Sequence, residues 1–405
     1  MKVALVSDSM SAYGGAERVV EQILAIYPHA RLFAVLDLVP PAQRRFLRDR
    51  EVACSFLQNL PLVSRYYRRL LPLWSLAVEQ FDVAEYDLVI SSHHSAANGV
   101  LTRPGQVHVS YVHSPMRYAW DLQNQYLSEA RLNRGPVGFL ARRMLHKARI
   151  WDYTAAQRPD AIATNSHFVA ERIRKVHRRD ARVIYPPVSP ECFGHCTTKG
   201  DFYLSLGRLV PYKRVDLLVR AFSRMPHRRL KVIGDGPEMQ KVRRSAGPNV
   251  EILGYRPEAE VRRTLAEARA FVFPGVEDFG IAALEAQAAG TPVIAFRGGG
   301  LTETVQGPDS PQPTGLFFEE QTEAAIVDAV EAFERSATRF CPEACVANAA
   351  DFSQAHFRDA FTSFVDEAMA ARAEAAGRRS ERAPPPALPP APRQPKPATV
   401  LGEVA

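Results

Sequence analysis

The sequence predicts an α/β protein built of two doubly wound, Rossmann-like domains that face each other across a cleft. Three observations support this fold class. The 405 residues exceed what one hydrophobic core usually serves, so two domains are expected. Short apolar runs alternate with longer helical patterns in both halves, which is typical of parallel sheets covered on both faces. A stiff proline-containing stretch at 186–190 separates the halves and cannot continue a helix.

The predicted elements alternate from one end of the chain to the other. The first half has predicted strands at 2–7, 31–35, 87–91, 107–112, 160–164 and 182–185, with helices at 15–27, 138–157 and 167–177. The second half has predicted strands at 202–206, 230–233, 250–253, 270–273 and 292–295, with helices at 214–224, 238–245, 258–268, 280–289 and 323–335. We therefore predict an N-terminal domain at 1–187 and a C-terminal domain at 200–350.

The end of the chain has a different pattern. Residues 351–372 carry aromatic and alanine-rich helical periodicity, which predicts a closing helix. Residues 377–405 are rich in proline and have no apolar face to bury, so we expect a disordered tail there.

Composition excludes several classes of protein. A chain that is 46% hydrophobic and 23% charged is neither disordered throughout nor collagen-like. The sequence contains no apolar run of roughly 18 residues, as a membrane-spanning helix would need. The first residues turn polar after a short apolar run, so they predict a buried strand rather than a signal peptide. We therefore expect the protein to be cytoplasmic.

Charge and cysteine usage are less specific. The net charge of +7 fits nucleic acid, anionic lipid or phosphorylated small molecules. The tail from Arg372 carries +3 of it, and the remaining excess is too small to indicate a nucleic-acid partner. Two pairs with three intervening residues, Cys192 with Cys196 and Cys341 with Cys345, could share a zinc ion with His195. Free thiols are the favoured interpretation.

The stretch 275–295 carries the clearest functional pattern. A predicted strand ends just before it and a helix begins near Gly280, so the amides of Phe279, Gly280 and Ile281 should point into the cleft. A helix N-terminus of this kind favours a phosphate group. Glu277 and Glu285 flank the same turn. The pattern suits a ligand with sugar hydroxyls on both sides of a diphosphate, although a capped surface helix with two solvated acids fits it equally.

These residues resemble the signature of retaining glycosyltransferases of family 4 (group 1), which have the GT-B fold: Glu277, seven residues, Glu285, then Ala-Ala-Gly-Thr-Pro-Val. The segments 13–17, 207–214, 234–237 and 253–255 resemble further landmarks of that family, in the same order. The resemblance covers about residues 1–370. The string 113–121, His-Ser-Pro-Met-Arg-Tyr-Ala-Trp-Asp, is similar to a mannosyltransferase-like branch.

The resemblance implies a division of labour within the cleft. The N-terminal domain would take the acceptor and the C-terminal domain the nucleotide-sugar donor. Glu277 would bind hydroxyls of the donor sugar, Glu285 the ribose, and Arg208 with Lys213 the departing diphosphate. The implied catalytic residues are His113, Glu277, Arg208 and Lys213, and the implied donor-binding residues are Gly14, Gly15, Arg208, Lys213, Gly254, Tyr255, Glu277, Phe279, Gly280, Ile281 and Glu285.

The chemistry of the donor agrees with this assignment. A departing nucleoside diphosphate needs its charge met, and Arg208 and Lys213 are fixed cations that could do so. No two aspartates are two residues apart, so the Asp-x-Asp motif of metal-dependent glycosyltransferases is missing. We expect no metal and no cofactor. The resemblance further implies that the acceptor attacks on the leaving-group side, with a diphosphate oxygen taking its proton.

The sequence thus predicts transfer of a hexose, with mannose from GDP-mannose favoured, to a saccharide or lipid-linked acceptor in cell-envelope polysaccharide or glycolipid synthesis. Two basic stretches that contain aromatic residues, 65–74 and 142–151, fit either peripheral contact with the anionic inner face of the membrane or ordinary solvated helix faces. Three alternatives remain: a GT-B-like sugar-nucleotide epimerase, a non-catalytic nucleotide-sugar binding protein, and a dinucleotide oxidoreductase. The last is weakened because no Gly-x-Gly-x-x-Gly follows the first strand.

Overall fold

The computed structural model describes residues 1–194, 196 and 198–380, and its N-terminal half is built around a parallel sheet of seven strands. The strand order is β3-β2-β1-β4-β5-β6-β7. The strands are β1 (Val3–Met10), β2 (Arg31–Asp37), β3 (Val52–Cys54), β4 (Leu88–His93), β5 (Val107–Val112), β6 (Ala161–Thr164) and β7 (Arg182–Val183). All residues of β1, β4 and β5 are buried, because helices cover both faces of the central strands.

The C-terminal half repeats this plan with six parallel strands in the order β10-β9-β8-β11-β12-β13. The strands are β8 (Phe202–Leu206), β9 (Arg229–Ile233), β10 (Val250–Gly254), β11 (Ala270–Phe273), β12 (Val293–Phe296) and β13 (Gly315–Phe318). In both sheets the strand order reverses beside the first strand of the domain, and open α/β sheets bind ligands at the carboxyl end of such a switch point.

Fourteen α-helices connect and flank the strands within the described residues. They are α1 (Gly15–Ile26), α2 (Val63–Tyr66), α3 (Leu71–Glu79), α4 (Gln123–Glu129), α5 (Gly135–Ala155), α6 (His167–His177), α7 (Val215–Ser223), α8 (Met239–Arg244), α9 (Glu258–Glu267), α10 (Ile281–Ala288), α11 (Leu301–Thr304), α12 (Glu323–Arg335), α13 (Pro342–Ala350) and α14 (Gln354–Ser380).

The predicted fold class of two Rossmann-like domains is confirmed, but two strands were not predicted. Strand β3 has three residues and β13 has four, and each lies at the outer edge of its sheet. Short runs of this kind carry too few residues to show a period of two. The helix α13 was not predicted either; it follows Cys341 with a proline at its first position.

The closing helix returns the chain to the N-terminal domain. Phe357, Phe361 and Phe364 of α14 belong to the same core cluster as residues of β1 and β5. A hydrogen bond from the Val188 amide to the Phe352 carbonyl, 2.9 Å long, joins the linker to the segment that precedes α14. The helix extends to Ser380, beyond Gly377, where the sequence predicts the tail to begin. The rest of the predicted tail, 381–405, lies outside the described residues.

All five cysteine thiols are free, as the favoured interpretation expected. Among the described residues, no three His, Cys, Asp or Glu side chains group as a metal site would require, and His195 lies outside those residues. Within the same residues, none of the helices has both the length and the apolar character needed to cross a membrane.

Candidate functional site

The two domains meet where the first strand of one and the fourth strand of the other end. Gly15 begins α1 shortly after β1, and Gly280 is the N-cap of α10 after β11. A Cβ on Gly15 would lie 2.8 Å from Cδ1 of Ile281, so the two helix starts are close together and a larger residue at 15 would require the Ile281 side chain to shift. Gly280 has φ +97°, and a Cβ there would lie 2.6 Å from Cδ2 of Leu301. The sequence had predicted both glycines at the cleft.

The turn before α10 leaves backbone amides free. Within the described part of the chain, no acceptor takes the amides of Phe279, Gly280 and Ile281. The ring of Phe279 points inward, stacking on Tyr185 at 5.7 Å, so only its backbone can serve a ligand. Amides at a helix N-terminus, aligned with the helix dipole, form a place where an anionic group can bind.

Glu277 and Lys213 form an ion pair beside this turn. The distance from Lys213 Nζ to Glu277 Oε1 is 2.9 Å, and the two side chains are 15% and 20% exposed. Although burial acts against it, the neighbouring Glu277 carboxylate raises the pKa of Lys213 above its usual value. Lys213 is therefore a cation at neutral pH, and an incoming anion would compete with Glu277 for it.

Glu285 is paired across the domain boundary. Its Oε1 lies 2.5 Å from Nη2 of Arg18, which belongs to α1 of the N-terminal domain. Both side chains are largely buried, with Glu285 12% and Arg18 24% exposed, so solvent screens their attraction less than it would screen a surface pair. Arg18 was not predicted as a site residue, because nothing in the sequence Gly-Gly-Ala-Glu-Arg at 14–18 indicates that this arginine pairs with an acid of the other domain.

Arg208 differs from the other cations of the site. Its side chain is exposed, and among the described residues it makes no ion pair. The positive charge of Arg208 opposes protonation of the Lys213 amine, so the two side chains interact electrostatically. The two cations thus lie close together after β8, and Arg208 could meet an anion without first breaking an ion pair.

Two arginines and one serine of the N-terminal domain hold Asp278, which lies in the turn before α10. Arg117 and Arg172 contact the Asp278 carboxylate at 3.1 and 2.7 Å, and the Ser166 hydroxyl donates to the Asp278 carbonyl at 2.6 Å. Arg117 also lies over the ring of Tyr212, 4.6 Å from its centroid. The sequence does not indicate this role for Asp278, because a paired aspartate next to a motif residue cannot be told from a solvent-exposed one by sequence alone.

His113 lies directly after β5, at the cleft edge that the sequence predicted. One ring nitrogen is 2.9 Å from the Ser92 hydroxyl, and Asn165 donates to the His113 carbonyl at 2.9 Å. Burial lowers the pKa of His113 to about 3. The imidazole is therefore neutral near pH 7, so it can exchange hydrogen bonds with a ligand but supplies no positive charge.

The remaining predicted residues lie at the same sheet edges. The Gly14 amide donates to Oε2 of Glu17 at 3.1 Å, which fixes the loop before α1. Gly254 has φ +72° at the end of β10, the outermost strand, and the Tyr255 side chain after it is 71% exposed. Tyr255 and Arg208 are thus the exposed residues of the predicted set, and Gly254 is partly exposed.

Two family models match this chain. The model "Glycosyltransferase Family 4" matches residues 13–191 and the model "Glycosyl transferases group 1" matches residues 196–350. The boundary between the matches falls at the linker between the two sheets. Each match therefore corresponds to one domain of the fold.

Curated relatives are similar over part of their length. An uncharacterized glycosyltransferase of Methanocaldococcus jannaschii is 32% identical over 166 residues, 39% of this chain and 46% of its own. A D-inositol 3-phosphate glycosyltransferase of Mycobacteroides abscessus is 29% identical over 52% of each chain. A GDP-mannose-dependent monoacylated alpha-(1-6)-phosphatidylinositol monomannoside mannosyltransferase of Corynebacterium glutamicum is 39% identical over 28% of this chain and 32% of its own. The matches span about half the length of the first two relatives.

Solved structures share the whole fold. Anabaena HepE, solved in complex with UDP and glucose, has a TM-score of 0.66 and 18% identity over 90% of this chain and 99% of its own. The sucrose-phosphate synthase of Thermosynechococcus elongatus has a TM-score of 0.69 and 17% identity over 92% and 100%. These likenesses confirm the predicted GT-B architecture.

Proposed function

We propose that this chain, which has the GT-B fold and matches glycosyltransferase models in both domains, transfers a hexose from a nucleotide sugar to a saccharide or lipid-linked acceptor, with retention and without a metal. Mannose from GDP-mannose is the favoured donor. The observation that carries the proposal is the turn at 277–281, where free amides lie beside Glu277, Lys213 and Arg208. Such a group of donors and fixed cations matches a diphosphate that joins two sugars.

Each end of that donor has a carboxylate to meet it. Glu277 lies at the start of the turn and would accept hydrogen bonds from the transferred hexose. Glu285, one turn into α10, would accept them from the ribose, and Arg18 would then move aside or share the carboxylate. Carboxylates suit this task because a hydrogen bond to a charged acceptor is stronger than one between neutral groups.

The choice of mannose rests on two supports. The string 113–121 is similar to a mannosyltransferase-like branch, and the relative from Corynebacterium glutamicum is named as GDP-mannose-dependent. The likeness to HepE with UDP bound supports only the fold, because the two sequences are 18% identical.

A donor screen tests this proposal directly. We expect GDP-mannose to raise the melting temperature more than UDP-glucose, because a ligand that binds the native state alone stabilises it by mass action. At a concentration of 100 times Kd the gain is about 2.7 kcal/mol in the free energy of unfolding. The measurement is thermal unfolding with each nucleotide sugar. If no nucleotide sugar shifted the thermal unfolding curve, the result would contradict donor binding.

The acceptor side supports a further part of the proposal, peripheral contact with an anionic membrane. Helix α5 exposes several large apolar side chains between cations, and α3, which packs against it, exposes two more. The exposed large hydrophobic residues of the two helices are Leu73, Leu76, Val137, Phe139, Leu140, Met144, Ile150 and Tyr153, with Phe139 70% exposed. Arg142, Arg143 and Lys147 are exposed on the same helix. Apolar side chains interleaved with cations are typical of surfaces that lie on anionic lipid.

Reversing charge on this surface should weaken membrane binding. We expect the double variant Arg142→Glu, Arg143→Glu to bind vesicles of phosphatidylcholine with phosphatidylglycerol at least about 10-fold more weakly, since each basic residue near such a surface contributes about 1 kcal/mol. The matched control is Arg243→Glu, Arg244→Glu, an exposed pair on α8 of the other domain. Co-sedimentation measures both variants. Equal binding of the two would contradict a membrane face on α5.

A further inference from the structure

A carboxylate and an imidazole form a pair on the N-terminal side of the cleft, outside the group assigned to the donor. Asp8 lies near the end of β1 and His94 directly follows β4, so both are at the carboxyl edge of the sheet. The distance from His94 Nδ1 to Asp8 Oδ2 is 3.2 Å. Asp8 is fully buried, whereas the His94 side chain is 42% exposed.

The Asp8 carboxylate is held as an anion. Four consecutive backbone amides donate to it: those of His94 and Ser95 to Oδ2 at 2.6 and 2.8 Å, and those of Ala96 and Ala97 to Oδ1 at 2.6 and 2.9 Å. Burial opposes ionisation, but the neighbouring histidines and these amides outweigh it and lower the pKa of Asp8. Asp8 is therefore ionised at neutral pH, and the four amides hold its carboxylate in one orientation.

An ionised Asp8 determines how His94 meets the cleft. The carboxylate lies at Nδ1, so in the neutral tautomer with its proton on Nδ1 the other ring nitrogen, Nε2, is a hydrogen-bond acceptor. In the part of the chain that the structure describes, no group hydrogen-bonds to Nε2 of His94. The ring is partly exposed, and Nε2 is the ring nitrogen that Asp8 does not engage.

The neighbours of His94 are site residues. It acts electrostatically on His113 and on Glu17, whose carboxylate holds the Gly14 amide at the start of α1. These groups belong to the N-terminal domain, and Gly15, the next residue after Gly14, reaches Ile281 of the donor turn. His94 therefore lies beside the cleft residues of the N-terminal domain, the domain that would take the acceptor.

We propose that His94 binds the acceptor, its Nε2 accepting a hydrogen bond from the attacking hydroxyl, and that Asp8 is its positioning residue. This inference rests on the proposed function. In the transfer the acceptor oxygen bonds to the anomeric carbon, the bond from that carbon to the diphosphate oxygen breaks, and the hydroxyl proton passes to that departing oxygen. His94 orients the hydroxyl and keeps no proton. The acceptor is accordingly a hydroxylated molecule, such as a saccharide.

Two substitutions separate the two ring nitrogens. In His94→Asn the amide nitrogen can replace Nδ1 toward Asp8, but nothing replaces Nε2. In His94→Gln the longer side chain can place its amide near the position of Nε2. We expect His94→Asn to raise the KM for the acceptor by about 10-fold or more, as the loss of one hydrogen bond predicts, with the donor KM unchanged. We expect His94→Gln to retain more of the acceptor affinity.

The assay uses octyl glycosides of mannose, glucose and galactose as acceptors, with the nucleotide sugar that stabilises the wild type in the donor screen. His29→Asn, an exposed histidine after α1, is the control and should match the wild type. Equal acceptor KM values for His94→Asn and His29→Asn would overturn the inference. A wild type that binds donor but transfers to none of the glycosides would also overturn it. A wild type that binds no nucleotide sugar would instead contradict the proposed function.

Discussion

Replacing Arg208 with alanine is expected to lower turnover by on the order of 10²–10³, the range for losing one preorganised donor to a developing negative charge. The reason lies in the position of this side chain. Arg208 is exposed and makes no ion pair among the described residues, whereas Lys213 is already neutralised by Glu277. In the proposed reaction Arg208 would thus be the cation that meets the departing diphosphate without first breaking an ion pair. Release of nucleoside diphosphate from the donor measures the rate.

The control for this experiment is Arg244→Ala, which removes an exposed arginine from α8 of the same domain. Because the Arg208 side chain makes no ion pair or hydrogen bond within the part of the chain that the structure describes, the melting temperatures of both variants should match the wild type. Equal turnover of the two variants would contradict the role of Arg208.

The same assay tests whether the reaction needs a metal. We expect wild-type activity to persist in excess EDTA, and we expect added magnesium not to restore the activity of Arg208→Ala. Loss of activity in EDTA with recovery on adding magnesium or manganese would overturn the proposed donor site.

The fold was predictable from the sequence wherever an element was long enough to show its period. Strand β5, helix α6 and helix α12 begin and end at the predicted residues. The missed strands β3 and β13 have three and four residues at sheet edges, where pairing rather than apolar periodicity defines the strand. The length of α14 was underestimated because Gly377, which indicated an end, lies within the helix.

The site was predictable where chemistry follows a local motif. The turn at Gly280 and the ion pair of Lys213 with Glu277 involve residues that the motifs had singled out. Contacts between the domains were not predictable, because they join residues far apart in the chain. Arg18 and Glu285 are 267 residues apart, and Arg117 and Asp278 are 161 apart. One sequence alone carries no signal for which charges meet across a cleft.

Replacing Glu277 with glutamine should separate binding from catalysis. The amide cannot neutralise Lys213, so that ammonium becomes free to meet a diphosphate, and we expect the affinity for nucleoside diphosphate to stay equal or rise. The transferred sugar loses a hydrogen bond to a charged acceptor. We therefore expect turnover of the intact donor to fall roughly 10- to 150-fold. Calorimetry with the nucleoside diphosphate and a rate assay with the donor measure the two effects.

Glu285→Ala is the matched comparison, because the two carboxylates lie on the same turn and helix but would serve opposite ends of the donor. Without Glu285, Arg18 has lost its partner and the ribose its acceptor, so nucleoside diphosphate and intact donor should both bind roughly 10- to 150-fold more weakly. The two variants should thus differ in their affinity for the nucleoside diphosphate without its sugar, which only Glu285→Ala should weaken. If Glu277→Gln weakened binding of diphosphate and donor equally, the carboxylate would be acting on the nucleotide, and the assignment of Glu277 to the transferred sugar would be wrong.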